Sequence, residues 1–272
     1  MKKSDRDSAL FVEEILEMRR EHKNVTLLAH TPNPEKLVAT AARLCYSADD
    51  VETIMNEMCD NDAEKQIKLL QSIGHESPIE HVSFTFAIEG VSRSLLAQIT
   101  RHRLASFSVR SQRYVSMSGS DYVTPDAIES DALIDSLYYA FMKTSNDIYK
   151  QISDRLQLRY IENGMDAKSA EKKAIEDARF VLPNAACTSM IVTMNARELL
   201  HFFRLRTCNR SQWEIREVAD KMLAECYRVA PTIFADAGCG CCSGLCPEGR
   251  MSCGNPRNAE IDAIKEGAIN DE

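Results

Sequence analysis

Five arginines, Arg93, Arg101, Arg103, Arg110 and Arg113, fall between Gly90 and Ser120, a stretch without a single acidic residue. A planar guanidinium donates two parallel hydrogen bonds to a phosphate or carboxylate, where an ammonium offers only a point charge. Such an island in an acidic chain points to a bound anion; the competing reading is a solvated face or intersubunit ion pairs. Its densest part runs Arg101-His102-Arg103-Leu104-Ala105-Ser106-Phe107-Ser108-Val109-Arg110-Ser111-Gln112-Arg113-Tyr114. On a persisting helix Arg101 and Arg103 diverge by about 200° and grip different groups, while Gln98 and Arg101 share a side. The downstream hydroxyls and Arg113 sit where a loop wraps a second anion. Two anion grips beside a histidine predict two phosphate-bearing ligands.

A second basic run extends from Asn195 to Arg210. Arg197, His201 and Arg204 stand at i, i+4 and i+7 and form one basic helix face, with Arg206 pointing elsewhere. Taken alone, this run reads as surface charge over a core of Leu199, Leu200, Phe202 and Phe203. Ser106 and Ser111 near His102 invite a hydrolase reading, but no strand-turn-helix Gly-x-Ser-x-Gly elbow accompanies them.

The elements that must carry these residues follow from periodicity and caps. Residues 8–22 predict an amphipathic N-terminal helix and Val25–Leu28 a short strand. Asn33-Pro34 opens a helix as N-cap and first position, with Leu37, Val38, Ala41, Ala42 and Cys45 on one face, and Ala63–Ser72 forms another. Val82, Phe84, Phe86 and Ile88 alternate with Ser83, Thr85, Ala87 and Glu89, the period of a half-buried strand. Helices are expected over Ser92 to about Arg103, over Asp131–Glu162 up to Asn163-Gly164, and from the Asp166 cap to before Pro183. Thr188–Met194 predicts a strand, then Asn195–Arg206 a helix. A helix over Asn209–Val229 follows, capped by Asn209 with Gln212, with Ile215, Val218, Ala219, Met222 and Cys226 as its buried stripe. Strands scattered among long helices give an α+β fold, an antiparallel sheet flanked by long helices.

The chain has 272 residues, 44% of them hydrophobic and 27% charged, with a net charge of −8. At roughly 150 residues per domain it makes one large or two small domains, with ample length for a core. No apolar stretch reaches the 18 to 20 residues of a membrane span, and the start lacks a secretory signal, so the expectation is a cytoplasmic protein without a membrane partner. The negative balance disfavours nucleic acid. Ten cysteines occur: Cys45, Cys59, Cys187, Cys208 and Cys226 are scattered, and Cys239, Cys241, Cys242, Cys246 and Cys253 crowd the tail. The tail five are candidate ligands for zinc or an iron-sulfur cluster, although their spacing matches no ligand pattern cleanly; free thiols or a redox disulfide are the alternative. Residues 258–272 read as a polar or loosely helical end.

Arg101, His102, Arg103, Ser106, Ser111 and Arg113 stand at the offsets of the signature of the flavin-dependent thymidylate synthases, which the sequence resembles. Supporting segments are His75-Glu76-Ser77-Pro78-Ile79-Glu80-His81, Arg179-Phe180-Val181-Leu182-Pro183, and Asn195 through Gln212-Trp213-Glu214-Ile215. The resemblance covers residues 25–234, leaving 1–24 as an N-terminal helical extension and 235–272 as a Cys-rich tail. It implies synthesis of dTMP from dUMP, with one carbon from methylenetetrahydrofolate and reducing equivalents from NADPH through FAD. It assigns FAD to Ser77, Arg101, His102, Arg103, Asn195, Arg197 and His201, and dUMP to Gln98, Arg110, Ser111, Arg113, Arg179 and Arg206. Arg179, Ser111 and His75 become the catalytic candidates, His75 shaping the flavin and folate side. It also implies a homotetramer whose sites combine subunits. Val109 stands where relatives carry Glu or Gln, Arg110 where an apolar residue is common, and Arg210 where some carry His. A nucleic-acid-binding protein using the Arg island and a metal-bound Cys tail is the alternative; the island lacks interleaved stacking aromatics.

Overall fold

The computed structural model describes residues 23–242 and 244–270. The helix expected over residues 8–22 lies outside the described residues. Two compact units divide the chain: a helical unit containing Glu89–Ala97 and Val109–Met190, and a sheet unit of Asn24–Ile88, Gln98–Ser108 and Ile191–Glu272. The tail therefore falls in the same unit as the Asn195–Arg210 run.

The sheet unit begins with β1 (Asn24–His30), α1 (Pro34–Leu44), α2 (Val51–Glu57) and α3 (Asp60–Ile73). Asn33 precedes α1, but its side chain caps nothing and its φ is 47°, a left-handed conformation that asparagine tolerates. The buried face of α1 is Pro34, Val38, Ala39, Thr40 and Ala42: Val38 and Ala42 are buried as expected, Leu37 and Ala41 are half-buried, and Cys45 is exposed. α2 was not legible, since seven residues bury a single Ile54 and show no period. After the tight turn Ser77–His81 comes β2 (Ser83–Ser92), whose Phe84, Phe86 and Ile88 are fully buried, as alternation demands. β3 (Ala105–Val109) and β4 (Cys187–Asn195) complete an antiparallel sheet of order β1-β2-β4-β3. Thr85 and Thr193 hydroxyls pair at 2.9 Å across its other face.

The unit is completed by α8 (Ala196–Arg206), α9 (Trp213–Val229) and α10 (Asn258–Asn270). Ile215, Val218, Ala219, Met222 and Cys226 of α9 are buried as expected. Its cap is not Asn209: the Gln212 side chain accepts from the Glu214 and Ile215 amides, and Asn209 donates to the Asn255 carbonyl at 2.8 Å. Phe84, Phe234, Phe203 and Phe202 form an edge-to-face chain with centroids 5.5 to 6.0 Å apart. Glu35 ties the first helix to the segment that follows Val229, accepting from the Thr232 amide and hydroxyl and from the Ile233 amide. α10 is a regular helix rather than a loose end, because Arg257 clamps it bidentately to Asp220 of α9 and Ile261 is fully buried.

In the helical unit, α4 (Arg93–Ile99) starts directly from β2 and ends four residues sooner than expected. The short α5 (Asp126–Glu129), the 31-residue α6 (Ala132–Glu162) and α7 (Ala167–Ala178) follow. Met117, Tyr149 and Ala178 pack together, and the Tyr149 hydroxyl accepts from the Met117 amide at 3.1 Å. Asp131 caps α6, accepting from the Leu133 and Ile134 amides, and Asp166 caps α7 as expected. Asp131→Ala should cost about 1 kcal/mol, read as a lower denaturant midpoint; an unchanged midpoint would show the cap to be dispensable.

Candidate active site

His102 sits at the junction of the two basic runs, 5% exposed. Its Nδ1 lies 2.9 Å from a carboxylate oxygen of Glu198, itself 7% exposed. Its Nε2 accepts from Arg206 Nε at 3.2 Å, and another Arg206 nitrogen donates to the Gln98 carbonyl. A nitrogen that accepts from a guanidinium carries no proton, so the ring is neutral and donates through Nδ1–H to Glu198. The ring packs edge-on against Phe202 (4.9 Å) and His201 (5.9 Å). Burial lowers the His102 pKa below 6.5, with the Glu198 hydrogen bond opposing and Arg206 adding to the depression. The unfolded chain therefore takes up this proton first: stability is full above about pH 6.5 and declines as pH falls below it. His102→Gln should flatten that decline in denaturant midpoints between pH 7.5 and 5.5; a parallel decline in both proteins would refute it.

α8 lays its basic face along a cavity of about 700 Å³, lined by Asn195, Arg197, His201 and Arg204 together with Glu76 and Glu80. A smaller hollow of about 330 Å³ is lined by Arg101, His102, Arg103, Arg206 and again His201. Leu104, Glu198 and His201 belong to both, so the two are contiguous. Arg197 is held by Glu80 and by Glu76, the latter at 3.1 Å, and these carboxylates raise its pKa. Asn195 caps α8, its side-chain oxygen accepting from the Glu198 amide at 2.8 Å. Among the described residues, Arg101, Arg103 and Arg204 have no acidic partner. Burial and the neighbouring Arg101 lower the Arg206 pKa, the mark of cations gathered without a counter-anion.

The structure thus brings Gln98, Arg101, His102, Arg103, Asn195, Arg197, His201 and Arg206 together within the sheet unit. The divergence of Arg101 and Arg103 does not come from a helix, which ends at Ile99; both lie on the turn leading into β3. Ser77 and His75 line neither cavity and are exposed; the His75 amide closes the end of α3 on Leu70. Neither ring nitrogen of His102 meets a serine, which removes the hydrolase geometry.

The helical unit gathers Arg110, Ser111, Arg113 and Arg179. The Arg110 amide donates to the Ser189 carbonyl, and Arg93 donates to the Arg110 carbonyl at 2.9 Å. Arg110 lines a cleft of about 120 Å³ with Ser116 and Ser120. Ser111 Oγ accepts from the Arg113 amide, leaving its hydroxyl proton available. Arg113 is engaged by Glu176 at 2.7 Å and stacks over Tyr114. Burial and Arg179 lower the Arg93 pKa, and neither has an acidic partner among the described residues.

Sequence reasoning missed Glu198, Glu76 and Glu80, and placed Arg93 in the basic island without giving it a ligand. Glu198 had a signal: it is the only acid between Asn195 and Arg210. In the tail, Cys239, Cys241 and Cys242 converge, while Cys246 and Cys253 stand outside that trio.

A family described as "Thymidylate synthase complementing protein" matches residues 26–232. The flavin-dependent thymidylate synthase of Clostridium tetani is 53% identical over 240 residues, covering 88% of this chain and 96% of the relative. That of Geobacter sulfurreducens is 46% identical, covering 88% and 97%. A crystal structure of a UMP/dUMP methylase, PolB from Streptomyces cacaoi, bound with 5-Br dUMP, superposes with a TM-score of 0.58 at 26% identity, covering 80% of this chain and 97% of that one.

Proposed function

Because the chain belongs to the flavin-dependent thymidylate synthase family, we propose that its two cation clusters divide the work, the sheet unit seating FAD and the helical unit contributing to dUMP. The chain is an enzyme that makes dTMP from dUMP through FAD. The observation that carries the division is the contiguous pair of cavities around His201, bordered by Arg101, Arg103 and Arg204 without acidic partners.

Arg101, Arg103, Asn195, Arg197 and His201 hold FAD there, with His102 as the buried strut; Ser77, which lines neither cavity, would reach the coenzyme only from outside them. A dinucleotide coenzyme fits this donor set, because its anionic diphosphate supplies the charge the guanidiniums lack. When bound, FAD supplies the hydride, drawn from NADPH. Arg206 and Gln98 in the sheet unit, and Arg110, Ser111, Arg113 and Arg179 in the helical unit, contribute to nucleotide binding. Arg113 and Arg206 neutralise the phosphate, and Arg179 stabilises negative charge developing on the pyrimidine. His75 borders the side that takes methylenetetrahydrofolate. No protein nucleophile is required, since this chain's residues would clamp both ligands and exclude water while FAD supplies the hydride.

The assembly is a cytoplasmic homotetramer in which different subunits contribute to each site, so the two sets need not meet within one chain. Supporting this, α6 exposes an apolar stripe of Leu133, Leu137, Phe141 and Ile148, with Phe141 59% exposed. No described helix is long and apolar enough to cross a membrane.

FAD titration of the apoprotein, followed by flavin fluorescence, tests the seat. Arg103→Ala should weaken FAD binding by about 10- to 100-fold, the worth of one charge-assisted hydrogen bond. Unchanged FAD affinity would move the flavin elsewhere.

A further inference from the structure

The tail holds a cluster that flavin chemistry does not use. Cys239 Sγ lies 3.1 Å from Cys241 Sγ and 3.3 Å from Cys242 Sγ, and all three sulfurs fall within 4.8 Å of one another. We propose that Cys239, Cys241 and Cys242 bind one thiophilic divalent cation of the zinc class. Metal-sulfur bonds of about 2.3 Å set the sulfurs of a tetrahedral site about 3.8 Å apart, a small outward step from the present spacing. An iron-sulfur cluster distributes its cysteines over several irons and needs them farther apart. A disulfide would use two sulfurs and strand the third.

The surroundings are built for this. The loop packs so tightly that a Cβ on Gly240 would come within 2.7 Å of Pro247, and one on Gly238 within 3.1 Å of the Cys242 sulfur. Cys239 is buried, and the Cys242 amide donates to the Cys239 carbonyl at 2.8 Å, which turns the loop so that the three sulfurs face one another. Three thiolates around a divalent ion leave one negative charge. Lys265, 7% exposed and anchored to the Ala235 carbonyl at 2.7 Å, lies near Cys242 as well as near Asp262 and Asp236, and offsets part of it. On binding, three thiol protons pass to solvent and three sulfur lone pairs to the ion, with no change of oxidation state. Gly240 also lines the large cavity beside Arg204, so the ion would stiffen that wall.

The full chain, reduced, loaded with zinc and desalted, is assayed for metal by elemental analysis, a readout independent of flavin content. About one zinc per chain is expected, and cobalt loading should give thiolate-to-cobalt charge-transfer absorption. Cys241→Ser, at the half-exposed member, and Cys242→Ser should each weaken binding at least tenfold, whereas Cys253→Ser, exposed and bonded to the Asn255 carbonyl, should not. Zinc-free chain after anaerobic loading, metal retained equally by the Cys241 and Cys242 variants, or a disulfide among the trio that metal cannot replace would each overturn the proposal.

Discussion

Glu198→Ala should lower stability by about 3 kcal/mol and abolish flavin uptake together, while Glu198→Gln should retain most of both. Alanine leaves the buried Nδ1–H of His102 without an acceptor and opens a space beside that ring. Breaking a buried charged pair by removing one partner typically costs about 3 to 5 kcal/mol. The lower end applies, because neutral His102 is stranded as an unpaired donor rather than as a charge. Glutamine still offers a carbonyl oxygen to Nδ1–H. For a chain of this size the alanine loss corresponds to a fall of about 6 to 12 °C in Tm. Differential scanning calorimetry with a parallel flavin titration checks both halves, and equal damage by Ala and Gln would show that the carboxylate charge matters rather than its acceptor oxygen.

Arg206→Ala should weaken dUMP binding by about 100-fold and FAD binding by only a few-fold. A charge-assisted hydrogen bond to phosphate is worth about 1.5 to 3 kcal/mol, and the guanidinium that supplies it sits partly desolvated, where screening is weak. Arg206 also donates to His102 Nε2, which is why some flavin effect is expected. Arg206→Lys should not rescue, because an ammonium cannot serve the histidine, the Gln98 carbonyl and a phosphate in one plane. Isothermal titration with each ligand separates the two affinities; equal losses would place Arg206 outside the nucleotide seat.

How far the sequence anticipates this arrangement depends on the range of the interaction. β2 and β4 were legible because their side chains alternate, and α8 because Asn195 caps it and its basic residues recur at helical spacing. β3 is ambiguous in the sequence: Ala105, Phe107 and Val109 alternate with Ser106 and Ser108, but five residues are too few for the period to outweigh serines whose hydroxyls suit an anion-binding loop. Gln212 took the cap expected of Asn209 because Asn209 is drawn to the tail, at Asn255, a contact 46 residues away. The pairing of His102 with Glu198 spans 96 residues, and no local pattern encodes which acid a buried histidine will meet. The Arg island and its type were local and readable; the carboxylates that orient it were not.

Glu35 is bound by Thr232 and Ile233 across nearly the full length of the domain. During synthesis the ribosome must therefore add almost two hundred residues after this carboxylate before its partners emerge. Until then α1 lacks this latch, and such distant closure makes for slow folding.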